Sequence, residues 1–292
     1  MLAYLLLILK TGLDATNSAL SKSFQRNFDN TTLNFTKYNL TNSLFASVFL
    51  FILNGFRLNV NLPTFIYSAV FALTVALNII LMILALGKTT MPMVYIISTS
   101  GGVIISTLFS AVVLQDIPSA KAVIAVFLLL AAVLLSYEIS QSKNSKYSFF
   151  IYLLFFIDNG AVMVITKLYT LDTRVCDEKS FCLLTNLIIA AVCVIILPAF
   201  LLSKKSTVKE IVKPFSIKQT LNIFSRTILS NLDSLVMIWA VALMNLSVFS
   251  VATSALTIIA TTLLSLIIFK EKLSKKQLIS TLLALAAIIL GI

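Results

Sequence analysis

The sequence predicts an all-α, polytopic membrane protein: ten transmembrane helices arranged as two inverted five-helix repeats. Composition is the first reason. Of the 292 residues, 59% are hydrophobic and 11% charged, against about 45–50% and about 25% in soluble domains, so too little polar surface exists to cover a water-soluble globule. Length is the second. Apolar runs at 70–86, 103–114, 123–135, 183–202 and 278–292 lie in windows of roughly 18–25 residues, which as helix cross about 30 Å of hydrocarbon. They are continuous rather than alternating, which excludes a β-barrel. The third is a phrase written twice. Residues 266–290 read LIIFKEKLSKKQLISTLLALAAIIL, and a shift of 155 lays VVLQDIPSAKAVIAVFLLLAAVLL on them.

Ten spans are expected, at residues 2–24, 39–56, 64–86, 92–114, 119–139, 147–169, 181–202, 217–243, 246–269 and 275–292. The first, MLAYLLLILKTGLDATNSALSKSF, lacks the basic start and small-residue cleavage site of a signal peptide and reads as a helix. It carries Lys10, Asp14, Asn17 and Ser21 at spacings of four, three and four, a single polar stripe. The third span puts Thr74 and Asn78 on one face. The fourth holds Tyr95 and a small-residue stretch, Ser98, Thr99, Ser100, Gly101, Gly102 and Ser106. The sixth has Asp158 and Asn159 near its middle. The eighth repeats the stripe with Asn222, Arg226, Ser230 and Asp233, Arg226 being near enough to the loop to snorkel, and also holds Trp239, the single tryptophan. The ninth offers Ser250, Thr253, Ser254, Thr257 and Thr261. Small residues let helices approach closely, as a fixed packing seam or as a sliding one.

The fifth and tenth spans close the two copies of the repeated phrase. Asp116 falls on Glu271, Ser119 on Ser274, Lys121 on Lys276, and eight of the twenty positions 116–135 are identical. Further upstream Asn78 falls on Asp233, and Thr107 and Ser110 on Thr262 and Ser265. Toward the front of each half the shift is 145, with Asp14 on Asn159 and Ser21-Lys22 on Thr166-Lys167. The change of register marks an insertion of about ten residues in the basic segment SKKSTVKEIVKPFSIKQ. The chain therefore divides into residues 1–140 and 141–292, five spans each. Five is odd, so the second half enters the membrane from the opposite side, the inverted architecture that puts a binding site near the midplane.

On these features the chain resembles the EamA-type branch of the drug/metabolite transporter superfamily. The resemblance rests on ten spans in two halves, each closed by an acidic residue, a Ser-containing turn and a Leu/Ala-rich helix, and on ALSK (19–22) and VITK (164–167) ending helices 1 and 6. The first copy departs from the pattern, with Gln115-Asp116-Ile117-Pro118 where the second has Lys270-Glu271-Lys272-Leu273. The resemblance implies a multi-pass protein of a bacterial cell membrane with cytoplasmic termini, exporting amino acids or similar metabolites. The charge count points the other way. Apart from Lys22 and Lys167, fourteen Lys/Arg fall in odd-numbered loops and four in even ones, which by the positive-inside rule puts both termini outside.

A charge at mid-membrane costs at least about 2.5–3.5 kcal/mol and is a functional candidate by default. The expected substrate-binding residues are Asp14, Asn17, Asn78, Tyr95, Asp158, Asn159, Asp233, Trp239 and Ser254. Asp14, Asp158 and Asp233 are the candidates for proton coupling, because desolvation favours the protonated carboxyl. The structural alternative is that Lys10 and Asp14 neutralise each other and serve packing, with Lys22 and Lys167 snorkelling at helix ends.

The expectation is a secondary active transporter of a small polar or amphipathic metabolite working by alternating access, proton-coupled export being one form of it. The alternatives are a nucleotide-sugar-type antiporter, with Lys22, Lys167 and Arg226 on phosphates, and a non-transporting membrane scaffold. No enzyme is expected: there is no His, no glycine-rich phosphate loop and no nucleophile elbow. No cofactor and no metal are expected; Cys176, Cys182 and Cys193 lack ligand spacing. Cys176 and Cys182 share one loop and could pair in an oxidising compartment, free thiols being the default. The partners are the small-molecule substrate and the lipid bilayer, with a homodimer left open and nucleic acid excluded, since the net charge of +11 sits mostly in short loops.

Overall fold

The computed structural model describes residues 2–26, 28–29, 31–115, 120–139, 145–202, 208–271, 273 and 275–291. These residues are all-helical: α1 (Leu2–Gln25), α2 (Thr32–Leu53), α3 (Leu62–Leu86), α4 (Met91–Val112), α5 (Ala120–Ile139), α6 (Ser145–Leu171), α7 (Glu178–Leu202), α8 (Val208–Val212), α9 (Ile217–Leu243), α10 (Leu246–Ile267) and α11 (Lys275–Gly291). Asp116, Ser119, Lys272 and Ser274 of the repeated phrase lie outside the described residues.

Six helices among the described residues are long and apolar enough to cross a membrane: α3, α4, α9, and residues Phe149–Leu171 of α6, Glu178–Pro198 of α7 and Val248–Ile267 of α10. This composition is compatible with an integral membrane protein. α1 and α2, at 24 and 22 residues, are long enough but carry polar side chains through their middles. α11 has only 17 residues.

The helix ends follow local chemistry. α2 begins seven residues before the predicted 39, because Thr31 accepts a hydrogen bond from the Asn34 backbone N–H (3.2 Å) and caps the first turn. That extra stretch is amphipathic: Phe35 and Tyr38 are buried against Phe24, Phe28 and Ile223. α8, which the sequence reading left inside a basic insertion, is held by Lys37 of α2, whose ammonium donates to the carbonyls of Glu210 (2.9 Å) and Lys213 (2.7 Å). Ser216 and Gln219 form a reciprocal capping box that starts α9.

The packing has a regular pattern. α1 lies on α9 and α10, while α6 lies on α3 and α4; α2 meets α9, and α7 meets α3; α2 pairs with α7, α4 with α10 and α5 with α11. α1 and α9 run antiparallel, since Lys10 faces Asp233 and Asn17 faces Arg226. At Gly101 α4 approaches α6 closely: a methyl group there would collide with the Phe156 carbonyl. Across α4 and α10, Ser106 donates to Ser250 (2.8 Å), so the small-residue stretches form a close seam.

Two apolar clusters cap the bundle. One joins Phe24, Phe28, Phe35 and Tyr38 at the C-terminal end of α1. The other gathers Tyr169, Phe181, Leu246 and Phe249 toward the C-terminal end of α9.

Candidate functional site

Between these clusters lies a cavity of about 220 Å³, lined from α1, α2, α3, α4, α6, α7, α9 and α10. Four formally charged side chains line it: Lys10, Asp14, Arg226 and Asp233. They stand on the inward faces of α1 and α9, whose opposite faces carry exposed apolar side chains such as Leu5, Ile8, Leu221 and Phe224.

Lys10 sits between two carboxylates. Its ammonium is 3.6 Å from Asp14 Oδ2 one turn along α1, and 3.4 Å from Asp233 Oδ1 on α9. Both separations exceed the roughly 2.7–2.9 Å of a tight charge-assisted hydrogen bond. Asp233 Oδ1 is buried and accepts no hydrogen bond, and Asp14 Oδ2 accepts one long bond from Thr257 of α10 (3.3 Å). The cluster is thus a loose ion triplet rather than a well-made packing pair.

Arg226 occupies the other end. It is 4% exposed, so it does not snorkel to the loop. Its Nε donates to Asn17 Oδ1 (3.2 Å) and an Nη to the Tyr38 hydroxyl (2.5 Å), with the guanidinium 5.4 Å from the Tyr38 ring centre. Between the charged ends run neutral polar groups. Thr227 donates to Asn42 Oδ1 (2.7 Å), and Asn186 donates to Asn231 Oδ1 (3.1 Å). The Tyr95 hydroxyl is bonded to Ser18 of α1 and faces the Met82 sulfur.

Of the residues singled out from sequence, Asp14, Asn17, Asn78, Tyr95, Asn159, Asp233 and Ser254 line this cavity. Asp158 does not line it; it is buried behind Asn78, whose amide donates to its carboxylate (2.8 Å). Trp239 points away, with 39% of its surface exposed, as an aromatic anchor at the lipid level would. Ser254 turns its hydroxyl to the Thr99 carbonyl (3.5 Å), and Asn159 its amide to the Phe155 carbonyl (2.7 Å).

Sequence reasoning left out Tyr38, Asn42, Asn186 and Asn231 as site residues, and gave Arg226 a ligand only in the nucleotide-sugar alternative. A signal for two of them was present: Thr41-Asn42 and Thr185-Asn186 recur at matched places inside otherwise apolar spans. Lys22 and Lys167, a matched pair, are both outside the cavity. Lys22 donates to the Leu86 and Thr89 carbonyls (2.8 and 3.2 Å) and lies 3.3 Å from Glu271. Glu271 in turn accepts from Ser265 (2.6 Å) and from the first N–H of α4 at Met91 (3.2 Å). Cys176, Cys182 and Cys193 are free thiols. Among the described residues no group of three or more Cys, Asp or Glu is placed to hold a metal ion.

No family model and no curated protein matches the chain. Twenty-six chains of solved structures match its fold. One, described as "Crystal structure of protein", is 14% identical, covers 99% of this chain and 96% of its own, and superposes with a TM-score of 0.65. The similarity extends over the whole bundle and concerns the fold.

Proposed function

We propose that the protein is a multi-pass secondary transporter of a bacterial cell membrane, carrying a small polar metabolite of amino-acid type through the central cavity by alternating access. The observation that carries this reading is the loose Lys10–Asp14–Asp233 triplet inside a cavity lined from eight helices. A charge cluster kept for helix packing gains most from short, fully bonded contacts; this one has long contacts and faces open space. An ammonium group of a substrate could replace that of Lys10 without leaving a carboxylate bare.

The ten-span, two-repeat architecture is part of the proposal. In its favour, the pattern of neighbours is symmetric under exchange of the halves: α1 on α9 answers α6 on α3, α1 on α10 answers α6 on α4, and three pairs answer themselves. Inverted repeats of this kind rock about a site near the membrane midplane. Proton coupling through Asp14, Asp158 or Asp233, and export as the direction, complete the proposal.

The nucleotide-sugar alternative has less support. It would use Lys22, Lys167 and Arg226 on phosphates, whereas the first two hold main-chain carbonyls at the helix ends. A cavity of about 220 Å³ is also below the roughly 300–1,000 Å³ of sites for drug-sized ligands. A thermal-shift screen of the purified protein against a metabolite library tests the proposal. Compounds that stabilise wild type and lose their effect with Asp14→Asn and Asp233→Asn support it; stabilisation that is unaltered by both substitutions counts against it.

A further inference from the structure

Lys10 and Lys22 each face carboxylates at 3.3–3.6 Å. Arg226 does not: among the described residues no carboxylate oxygen lies within 4.0 Å of it. It is nonetheless 4% exposed and lines the cavity. A guanidinium offers five N–H donors in a planar fork, and Arg226 uses two of them, on Asn17 and Tyr38. Both partners are neutral, as are the neighbouring Asn42, Asn186, Ser230 and Asn231. They hold the guanidinium in place without discharging it. An unpaired cation at such depth is costly, and marks a place where an anion arrives.

We infer that the Arg226 end of the cavity is an anion subsite for a carboxylate, so that the solute carried is a zwitterion, its carboxylate on Arg226 and its ammonium toward Asp14 and Asp233. The inference rests on the carrier reading above and adds to it the polarity of the bound solute. Two further observations support it. The four charged groups of the cavity are two cations and two carboxylates, so a zwitterion enters without adding net charge, whereas an amine or an anion alone would leave one. The antiparallel α1–α9 pair also separates the charges along the cavity: Arg226 with Asn17 at one level, and Asp233 with Lys10 seven residues away, about 10 Å along the axis. Asp14 stands between. A planar carboxylate matches the guanidinium fork with two parallel hydrogen bonds, which the compact ammonium of a lysine does not offer.

The test uses purified full-length protein and four matched pairs, each an amine with and without its carboxylate: leucine and isoamylamine, phenylalanine and phenethylamine, lysine and cadaverine, 4-aminobutanoate and propylamine. Binding is measured by calorimetry and thermal shift. The expected result is that at least one acid binds wild type about tenfold or more tighter than its amine partner, that Arg226→Gln erases the difference while leaving the amine's affinity, and that Arg226→Lys restores part of it. If Arg226→Gln does not purify as a folded protein, Tyr38→Phe and Asn17→Ala serve instead, each expected to reduce the preference for the acid. The inference is overturned if amines bind wild type as tightly as their acids, if Arg226→Gln keeps the preference, or if no pair binds. The carrier reading fails separately, when an acid binds with the stated preference but is not moved across reconstituted vesicles.

Discussion

Lys22 and Lys167 make the same pair of contacts at opposite ends of the bundle. The ammonium of Lys22 donates to the carbonyls of Leu86 and Thr89 at 2.8 and 3.2 Å, and that of Lys167 to the carbonyls of Val241 and Met244 at 3.1 and 3.4 Å. Leu86 and Val241, and Thr89 and Met244, are the residues that the 155-residue shift of the repeated phrase lays on one another. Each lysine closes the C-terminal end of a helix, where the carbonyls of the last turn lack partners within the helix and favour a cation.

At the Lys22 end the closure includes Glu271, which also caps α4. Lys22→Met and Glu271→Gln are each expected to lower stability, by about 3 kcal/mol for a pair this well buried. The double variant is expected to lose less than the sum. Thermal unfolding of the four proteins in detergent measures the coupling, and strict additivity would show that the two side chains act independently.

Lys10 is the counter-ion of two carboxylates. Lys10→Met leaves both uncompensated and is expected to destabilise the protein by several kcal/mol, in the range for breaking a buried pair. Lys10→Met combined with Asp233→Asn is expected to recover part of that loss, because one fewer buried charge is left bare. The melting temperatures of the single and double variants check this.

Gly12 of α1 and Gly101 of α4 are expected to respond in opposite directions to substitution by alanine. Gly12 has nothing within 4 Å of where its Cβ would be, so Gly12→Ala is expected to be neutral or to stabilise by about 0.4–1 kcal/mol through lower chain entropy. Gly101→Ala drives a methyl into the Phe156 carbonyl and is expected to cost about 1–3 kcal/mol by overpacking. Equal melting temperatures for the two variants would mean that the α4–α6 approach is looser than described.

The loop between α6 and α7 carries the acid sensitivity. Hydrogen bonds from the Arg174 side chain and backbone hold the Asp172 carboxyl down at about 2. For Asp177, burial pushes the carboxyl up, but hydrogen bonds from Asn59 and Ser180 outweigh it and the group stays below the usual range. A carboxyl depressed on folding contributes stability that is full above its unfolded value of about 3.9 and disappears as pH falls through the folded value. Between roughly pH 4 and 2, wild type is therefore expected to lose stability that Asp172→Asn and Asp177→Asn have already lost at pH 6, so the melting curves of variants and wild type converge in acid.

Much of the fold could be read from the chain because its strongest signals are local. Long apolar runs broken by short charged turns place α3, α4, α6, α7, α9 and α10 within a few residues. The start of α2 was hidden because NTTLNFTKYN looks like a polar loop; its order comes from a capping threonine and two aromatic residues that find partners at Phe24, at Phe28 just beyond α1, and at Ile223 of α9. The stripe Lys10, Asp14, Asn17 could be read from helical spacing alone, and it does line one wall. Arg226 could not. Its position in span 8 looks close to the loop, and only the antiparallel packing of α1 on α9, with α2 beside them, turns it inward. Trp239 failed for the same reason in reverse: its rotation on the helix is decided by which neighbours α9 has, and they put it outside.

The most direct test of the account is flux. Purified wild-type protein, Asp14→Asn, Asp233→Asn and, as a control outside the cavity, Trp239→Phe are reconstituted into vesicles loaded with a metabolite mixture, and the appearance of each compound outside is followed by mass spectrometry. The account predicts saturable flux of at least one small zwitterionic metabolite through wild type and Trp239→Phe, reduced about tenfold or more in both aspartate variants, as for the loss of a buried charge contact with substrate. Flux no greater than that of empty vesicles for every metabolite, or flux that both aspartate variants retain in full, would contradict it.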